Sequence, residues 1–396
     1  MELQKKNYLQ RDSGIELLKV IAIFLIIINH LTQTWLIYSK TELIISSMDA
    51  EQFMFLFFRH FGSIGNLVFF TCSAWFLLDK QHSKKEKIIQ MLMDIWVISM
   101  LYLAIPLATK ADFVSRSLII QSLFPTTFEN NWYLTAYLLF YMIVPFLNKI
   151  LTNLNRKAHL RAVLVLVVLY LVINNITVKE AFFCSKMTVW ITIYFIIAYM
   201  KRYQGKYADN TKRNALVLAL SIPALVAFIL FIYFVCLKLS LSDKWLMHWN
   251  RSNNPIIIVM AIAALNVAKN ASFKNALINY ISSLSLLIYI IHENLIFRTY
   301  YRKYMFEILF RYVEKTHIWA WILLLAVVLF FASFIAATIY KFTLQKLIAK
   351  LSTWLLTVFK NIYLKIENKI VAESINQPNN AKREKKEPVG SGAPKR

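Results

Sequence analysis

The chain is poor in charged residues, cysteine, glycine and proline. Only 17% of its 396 residues are charged while 58% are hydrophobic, which excludes an ordinary soluble domain and a disordered chain. It contains no Gly-rich phosphate loop and no nucleic-acid motif, so no nucleic-acid partner is predicted. Cys72, Cys184 and Cys236 lie in or beside apolar stretches without pairing or metal-ligand spacing, so neither a disulfide framework nor a metal site is predicted.

Apolar runs recur along nearly the whole chain and predict an all-α fold, a polytopic membrane helix bundle. At about 20 residues per crossing, they predict about ten transmembrane helices. The spans lie near 15–37, 61–78, 88–108, 131–148, 160–175, 187–200, 214–237, 255–268, 276–297 and 318–340. Ten is an even number, so both termini are expected on the same side of the membrane.

The distribution of Lys and Arg predicts a multi-pass protein of the cell membrane with both termini cytoplasmic. Loops on the N-terminal side carry 18 Lys and Arg against 14 on the other side, and such an excess marks the cytoplasmic face. The exception is the outer loop 298–317, which holds five of those cations. Its mixture of aromatic and basic residues favours a short interfacial helix over a patch for an anionic acceptor.

The chain divides into a membrane domain, residues 1–341, and two short C-terminal segments. Residues 342–371 have apolar positions at helical spacing interleaved with lysines, which predicts an amphipathic helix lying on the cytoplasmic leaflet and held by anionic lipid. Residues 372–396 are polar and basic and are predicted to be disordered. The Gly-Ser-Gly at 390–392 is typical of an added linker.

Ionisable residues inside a bilayer are costly and are therefore candidates for function. Of the seven histidines, only His30 and His292 fall within the predicted spans. In the first span, Glu16, Lys19 and His30 share one helical face, with about 16 Å between Lys19 and His30 along the axis. This pattern predicts a polar stripe that runs from the cytoplasmic surface to an imidazole in the outer half of the membrane.

The ninth predicted span carries a second polar face. Ser285, Tyr289 and His292 follow each other at spacings of four and three, and Glu293 and Asn294 come next. Both histidines lie about 15 residues from the cytoplasmic ends of their spans. We therefore expect one site that faces the outer side.

Each of these residues also has a structural interpretation. A membrane histidine can bond the backbone of a neighbouring helix, and Glu16 with Lys19 can be an interfacial pair. Ser73 is better explained by helix packing than as a nucleophile, and Trp132 by an aromatic belt. The lysines at 84, 85 and 87 are also explained by the positive-inside rule, as part of a cytoplasmic loop.

Four segments together resemble the acyltransferase-3 family of integral membrane acyltransferases, in particular the small form that modifies bacterial surface polysaccharides. Residues 14–30 are similar to its first-helix signature, an acid, a basic residue three positions later and a histidine eleven further on. Residues 61–77 resemble the second-helix motif, with Ser-Ala in place of Ser-Gly at 73–74. Residues 132–148 resemble the fourth helix, and 285–292 the late Tyr-x-x-His motif. The resemblance covers residues 11 to about 340 in order.

The resemblance implies an acyl-CoA-dependent O-acetyltransferase that moves an acetyl group from cytoplasmic acetyl-CoA to a hydroxyl of a cell-surface or lipid-linked glycan. Acetyl-CoA is then a co-substrate, and no permanently bound cofactor is expected. His30 is the expected base or acyl-carrying nucleophile. Lys19 positions the donor and Glu16 orients Lys19. Lys84 and Lys87 are expected to bind the phosphates of the donor. An acceptor-site or supporting role is expected for Tyr289, His292, Ser73 and Trp132.

Two other functions suit the same residues. Intramembrane His, Lys and Glu also serve in transporters and flippases, which perform no covalent chemistry. The absence of repeated halves and the few Gly and Pro residues in the spans argue against that class. Acyl transfer to a small metabolite is the third possibility.

Overall fold

The computed structural model describes residues 12–43, 46, 48–176, 186–241 and 243–376. These residues form helices and no strand, which confirms the all-α polytopic bundle. In chain order the helices are α1 (Ser13–Ser39), α2 (Ala50–Leu77), α3 (Lys85–Ala108), α4 (Arg116–Leu123), α5 (Trp132–Asn153), α6 (Arg156–Val167), α7 (Lys186–Tyr203), α8 (Gly205–Ala208), α9 (Thr211–Lys238), α10 (Asp243–His248), α11 (Pro255–Asn270), α12 (Ala276–Ser283), α13 (Ser285–His292), α14 (Tyr304–Leu309), α15 (Ile318–Thr343) and α16 (Gln345–Asn376). Two π-helical segments occur among the described residues, Val168–Ile173 after α6 and Phe297–Tyr301 before α14. A short α-helical turn, Asn174–Ile176, follows the first of them.

Among the described residues, seven helices are long and apolar enough to cross a membrane: α1, α2, α3, α5, α6 with its extension to Ile176, α9 and α15. The other three predicted spans coincide with α7, α11 and the pair α12 and α13. Helix α11 has only 16 residues, and the helix at the ninth span is broken at Leu284. The protein is therefore a multi-pass membrane protein, and ten crossings stays a prediction.

Helix α2 begins eleven residues before the predicted span. Its first part contains Glu51, Arg59 and His60, which lower the local hydropathy, but the fold gives these residues partners. Glu51 accepts a hydrogen bond from the backbone N–H of Ile318, and Nδ1 of His60 bonds the Leu56 carbonyl. The expectation that only two histidines lie within the spans is thus wrong, because His60 and His159 are also buried inside membrane-length helices.

Helix α1 is the centre of the bundle and contacts α2, α11, α12, α13 and α15. Its approach to α2 depends on two glycines. A Cβ atom at Gly65 would lie 2.6 Å from the Ala22 carbonyl oxygen, and one at Gly62 would lie 2.5 Å from the Asn29 side chain. Small residues permit such close packing of membrane helices. This packing fixes the position of the α1 polar stripe within the bundle.

Helix ends group at two faces of the bundle. We call the N-terminal face the one where α1 begins, and the distal face the opposite one. Ser13, at the start of α1, donates its backbone N–H to the Phe273 carbonyl, which precedes α12. Asn148, near the end of α5, donates to the carbonyl of Leu77 at the end of α2. At the distal face, the contact between Glu51 and Ile318 joins the starts of α2 and α15.

Helix α16 covers the segment for which an amphipathic helix is predicted. It packs against α3 and α15 through the buried Ile348, and it leaves Trp354 and Phe359 exposed. The helix continues to Asn376, past the predicted boundary at 371, and most of the predicted tail lies outside the described residues. An exposed apolar face with flanking lysines suits a membrane surface. Of the three cysteines, Cys72 and Cys236 are buried, and Cys184 lies outside the described residues.

Candidate active site

Two histidines meet between α1 and α13. Nδ1 of His30 lies 3.2 Å from Nε2 of His292, and the ring centroids are 5.4 Å apart. Both side chains are buried. The structure therefore brings together the two polar helix faces that the sequence placed at similar depth.

Glu293 and Arg302 complete the cluster around His30. Oε2 of Glu293 lies 2.9 Å from Nδ1 of His30 and 2.8 Å from Nη1 of Arg302. The other carboxylate oxygen lies 3.2 Å from Nη1 of Arg298. A buried carboxylate in contact with two guanidinium groups stays ionised, because the cations compensate its desolvation.

The hydrogen bonds assign the tautomers of both histidines. Nδ1 of His292 lies 2.7 Å from the Ile288 carbonyl oxygen, so this nitrogen carries the proton and Nε2 is an acceptor. Nδ1 of His30 faces that acceptor and the Glu293 carboxylate, so it is also protonated. The remaining ring nitrogen of His30, Nε2, therefore keeps its lone pair and can act as a base or nucleophile.

Arg302 ties the cluster to α1. Its Nε donates to Oγ1 of Thr34 at 2.6 Å, and the Thr34 hydroxyl donates to the His30 carbonyl at 2.9 Å. Arg302 is 4% exposed. The π-helical segment Phe297–Tyr301 turns the chain after Glu293 so that Arg302 comes back over the end of α13. The imidazole, the carboxylate and the guanidinium thus hold one another in place.

The donor set of this cluster could also be considered for a metal ion. The ligand atoms of His30, His292 and Glu293 lie within 4.8 Å of one another. Two arginines already bond the carboxylate, however, and a divalent cation there would meet two positive charges at short range. The arrangement fits an oriented imidazole better than a metal ligand set.

Two tyrosines pack beside the histidine pair. The Tyr289 ring lies 6.4 Å from the His30 ring and 5.8 Å from the Tyr133 ring, measured between centroids. Tyr289 and Tyr133 are both buried. Tyr289 is thus next to His30, as its place on the α13 face suggests.

A cavity of about 740 Å³ lies at the N-terminal face, where Glu16 and Lys19 of α1 line it. Four lysines line it, and they come from α1, the loop after α2, α3 and α11: Lys19, Lys80, Lys87 and Lys269. Ser73, Tyr137 and Ser285 line it as well. A concave site with convergent cations can bind an anionic small molecule.

Glu16 fixes Lys19 at this cavity. Oε2 of Glu16 lies 3.2 Å from Nζ of Lys19 and also accepts a hydrogen bond from Ser282 of α12. Because Ser282 holds the carboxylate from a second helix, the Lys19 ammonium is directed towards the cavity.

The two lysines predicted to contact the donor are placed differently. Lys87 lines the cavity, and its Nζ lies 5.5 Å from the Tyr141 ring centroid. Lys84 is not among the lining residues, and its backbone N–H donates to the Tyr141 hydroxyl. Lys80 lines the cavity instead, and burial together with the charges of Lys84 and Lys19 lowers the pKa of Lys80.

Trp132 lies away from the histidine pair. It lines a second cavity, of about 300 Å³, and the Lys186 ammonium lies 3.6 Å from its ring centroid. Ser73 faces the lysine cavity, not the imidazoles. The four residues predicted for the acceptor side therefore lie at three places. Tyr289 and His292 lie beside His30, Ser73 lines the lysine cavity, and Trp132 lines the second cavity.

The sequence interpretation missed Glu293, Arg302 and Arg298 as site residues. Glu293 follows His292 directly, and both arginines lie in the outer loop whose cations are the exception to the charge rule. An unexplained group of cations next to an intramembrane acid was the available signal. The predicted interfacial helix in that loop corresponds to α14, and Arg302 just before it serves the buried cluster.

Over most of its length the chain is similar to a known protein family. The family model described as an acyltransferase domain, Acyl_transf_3, matches residues 12–343. No curated protein matches the chain, and no solved structure matches it.

Proposed function

The chain belongs to the acyltransferase-3 family of membrane acyltransferases, and we propose that it transfers an acetyl group from acetyl-CoA to a glycan hydroxyl. The observation that carries this proposal is the orientation of His30. Glu293 holds its Nδ1 protonated, so its Nε2 can accept a proton within the buried cluster. The competing hypotheses are acyl transfer to a small metabolite and transport without covalent chemistry.

The lysine cavity supplies the donor side. Coenzyme A carries several phosphate charges, and Lys19, Lys80, Lys87 and Lys269 surround a cavity of about 740 Å³. Lysines bind phosphate as point charges. Phosphates held at the cavity mouth would leave the thioester arm to extend past Ser73 and Tyr137 towards His30.

The reaction needs a base for the acceptor hydroxyl. Nε2 of His30 takes the hydroxyl proton as the sugar oxygen attacks the thioester carbonyl, and the C–S bond then breaks and the CoA thiolate leaves. The imidazolium returns the proton to the thiolate, so the products are the acetyl ester and CoA. Glu293 stabilises the imidazolium. In the alternative path, Nε2 itself attacks the carbonyl, the C–S bond breaks and the CoA thiolate leaves. The acetyl group then passes from Nε2 to the acceptor oxygen, and the hydroxyl proton goes to the thiolate.

The donor is cytoplasmic if the N-terminal face is cytoplasmic. The excess of Lys and Arg in the loops of that face supports this orientation, in which both termini are on the cytoplasmic side of the cell membrane. The distal face, with Trp132 and the outer loop, then meets the glycan.

The test is steady-state release of CoA by purified protein in nanodiscs, with and without cell-surface glycan. Wild type should release CoA faster with glycan, and His30→Ala should lose at least about 10²-fold of that rate. His60→Ala is the matched control, because His60 is also buried in a membrane helix but bonds only backbone. Near-normal transfer by His30→Ala in folded protein would move the base to His292, and no CoA release by wild type would favour a transporter.

A further inference from the structure

The second cavity lies towards the distal face and has a polar lining. Its volume is about 300 Å³, at the lower end of the range for small-molecule sites. The residues that matter here come from α2, the start of α5, the start of α7 and the loop before α11: Asn66, Trp132, Lys186 and Asn253.

The side chain of one asparagine at this cavity forms no hydrogen bond within the described residues. Asn253 is 2% exposed, and within the described part of the chain neither its amide nitrogen nor its amide oxygen forms a hydrogen bond. The side-chain oxygen of Asn66 is also buried and forms no hydrogen bond within the described part of the chain. Buried polar atoms without partners are rare, because their desolvation is uncompensated. Their presence at a cavity points to a ligand that bonds them.

The loop around Asn253 is held in place by its neighbours. The Asn253 backbone carbonyl accepts a hydrogen bond of 2.8 Å from the side chain of Asn175, and Asn254 caps α11. Asn250 accepts a bond from the Ser63 hydroxyl at 3.1 Å and donates to the Arg59 carbonyl at 3.1 Å. The unbonded amide is therefore preorganised, and a ligand would bind it without first ordering the loop.

The chemistry of the lining selects a class of ligand. The free Asn253 carboxamide offers a carbonyl acceptor and an NH2 donor, so it can accept from the N–H of an acetamido group or donate to its carbonyl oxygen. The Asn66 oxygen can accept from a sugar hydroxyl, and the Trp132 ring supplies apolar surface for a pyranose face. We propose that this cavity binds one N-acetylated sugar unit of the acceptor glycan.

The position of the cavity fits an acceptor subsite, and this part of the inference rests on the proposed function. The Tyr133 hydroxyl donates to the Asn66 carbonyl at 3.3 Å, and the Tyr133 ring contacts Tyr289 beside His30. On α2, Asn66 and Ser73 are seven residues apart, which is about 10 Å along the helix. Asn66 at the second cavity and Ser73 at the lysine cavity are thus about two helical turns apart on α2, and Tyr133 links Asn66 to Tyr289.

Sugar binding can be measured without any acyl donor. The probe is the β-1,4-linked tetramer of N-acetylglucosamine, titrated into the full chain in nanodiscs and followed by saturation-transfer NMR. Wild type should bind it, and Asn253→Ala should raise the Kd at least about tenfold. Asn66→Ala should also raise the Kd, but by a smaller factor. Asn266→Ala is the control, because Asn266 is a buried asparagine that lines neither cavity, and it should leave the Kd unchanged.

Two comparison ligands test the assignment of the acetamido group. The β-1,4-linked glucose tetramer and a tetragalacturonate should both bind more weakly than the acetylated probe. The proposal is overturned if wild type does not bind the acetylated tetramer, or if either comparison ligand binds as tightly as that tetramer. It is also overturned if Asn253→Ala and Asn66→Ala bind the tetramer with the wild-type Kd. Thermal unfolding and elution profiles show that each variant is folded.

The outcome is independent of the acyl-transfer proposal. If binding depends on Asn253 but wild type releases no CoA, the subsite stands and the transfer function fails. If CoA release depends on His30 while Asn253→Ala leaves the acceptor KM unchanged, the transfer function stands and the subsite assignment fails.

Discussion

Oε2 of Glu293 lies 2.9 Å from Nδ1 of His30, and both side chains are buried in the helix bundle. This contact decides which nitrogen of His30 is available for chemistry. An ionised carboxylate favours the tautomer that is protonated at Nδ1 and leaves the lone pair on Nε2.

Glu293→Gln should lower turnover by about 10²-fold or more and leave the KM for acetyl-CoA unchanged. The amide keeps the shape but can donate its N–H to Nδ1, which would move the proton to Nε2. The lysine cavity does not include Glu293, so donor binding should persist. Steady-state CoA release gives both constants.

Glu307→Gln is the control for the Glu293 variant, because Glu307 lies in the same segment and pairs only with Lys303 at 4.0 Å. It should behave as wild type. Equal turnover of Glu293→Gln and Glu307→Gln would show that the carboxylate does not set the tautomer of His30.

Arg302→Met should destabilise the protein, while Arg298→Gln should have little effect. Arg302 is buried and bonds Glu293, Thr34 and the His292 carbonyl, so its loss leaves a buried carboxylate short of a partner. Removing one member of a buried pair costs about 3–5 kcal/mol, and a partly exposed pair contributes about 1 kcal/mol or less. The Arg298 side chain is 29% exposed. Thermal unfolding midpoints in nanodiscs compare the two, and equal midpoints would contradict the role given to Arg302.

Much of the bundle could be predicted because lipid imposes a simple rule on sequence. Apolar runs of sufficient length become helices, and all ten predicted spans coincide with helical segments. The α1 polar stripe also followed from spacing, since Glu16, Lys19 and His30 repeat at helical intervals. Hydropathy failed at the start of α2, where Arg59 and His60 reduce the apolar signal although the bundle buries His60.

The centre of the candidate site could not be predicted from periodicity. Its geometry depends on the helix break at Leu284 and on the π-helical turn before Arg302, neither of which an apolar pattern indicates. The contact between Glu293 and His30 joins residues far apart in sequence. Tertiary packing, and not local spacing, decides which ionisable groups meet.

Lys87→Gln should raise the KM for acetyl-CoA more than Lys84→Gln does, because only Lys87 lines the cavity. Contacts with phosphates remote from the thioester act as uniform binding, so turnover should change little. Lys85→Gln is the matched control from the same basic stretch and should leave KM unchanged. If all three variants give the same KM, these lysines serve only the positive-inside loop.

The orientation of the bundle can be checked by cysteine labelling of intact cells with an impermeant thiol reagent. With a cytoplasmic N-terminal face, Ser83→Cys should stay unlabelled until the cells are opened. Asp112→Cys, between α3 and α4, should be labelled at once. The described natural cysteines, Cys72 and Cys236, are buried, and the unaltered chain gives the background. Labelling of Ser83→Cys in intact cells would reverse the orientation.

Donor binding should weaken with rising pH through Lys80. Burial, with Lys84 and Lys19 nearby, lowers the pKa of Lys80, so this lysine loses its charge at a pH below the value of about 10.4 that is usual for lysine. The charged form binds phosphate, and affinity is therefore full below the lowered pKa and declines as the pH rises through it. Calorimetric titration of CoA into the protein between about pH 7 and 10 should show this decline. Lys80→Gln should bind more weakly at pH 7 and lose the decline, whereas Lys84→Gln should move it to higher pH because one repelling charge is removed. An unaltered pH profile in Lys80→Gln would show that another group titrates.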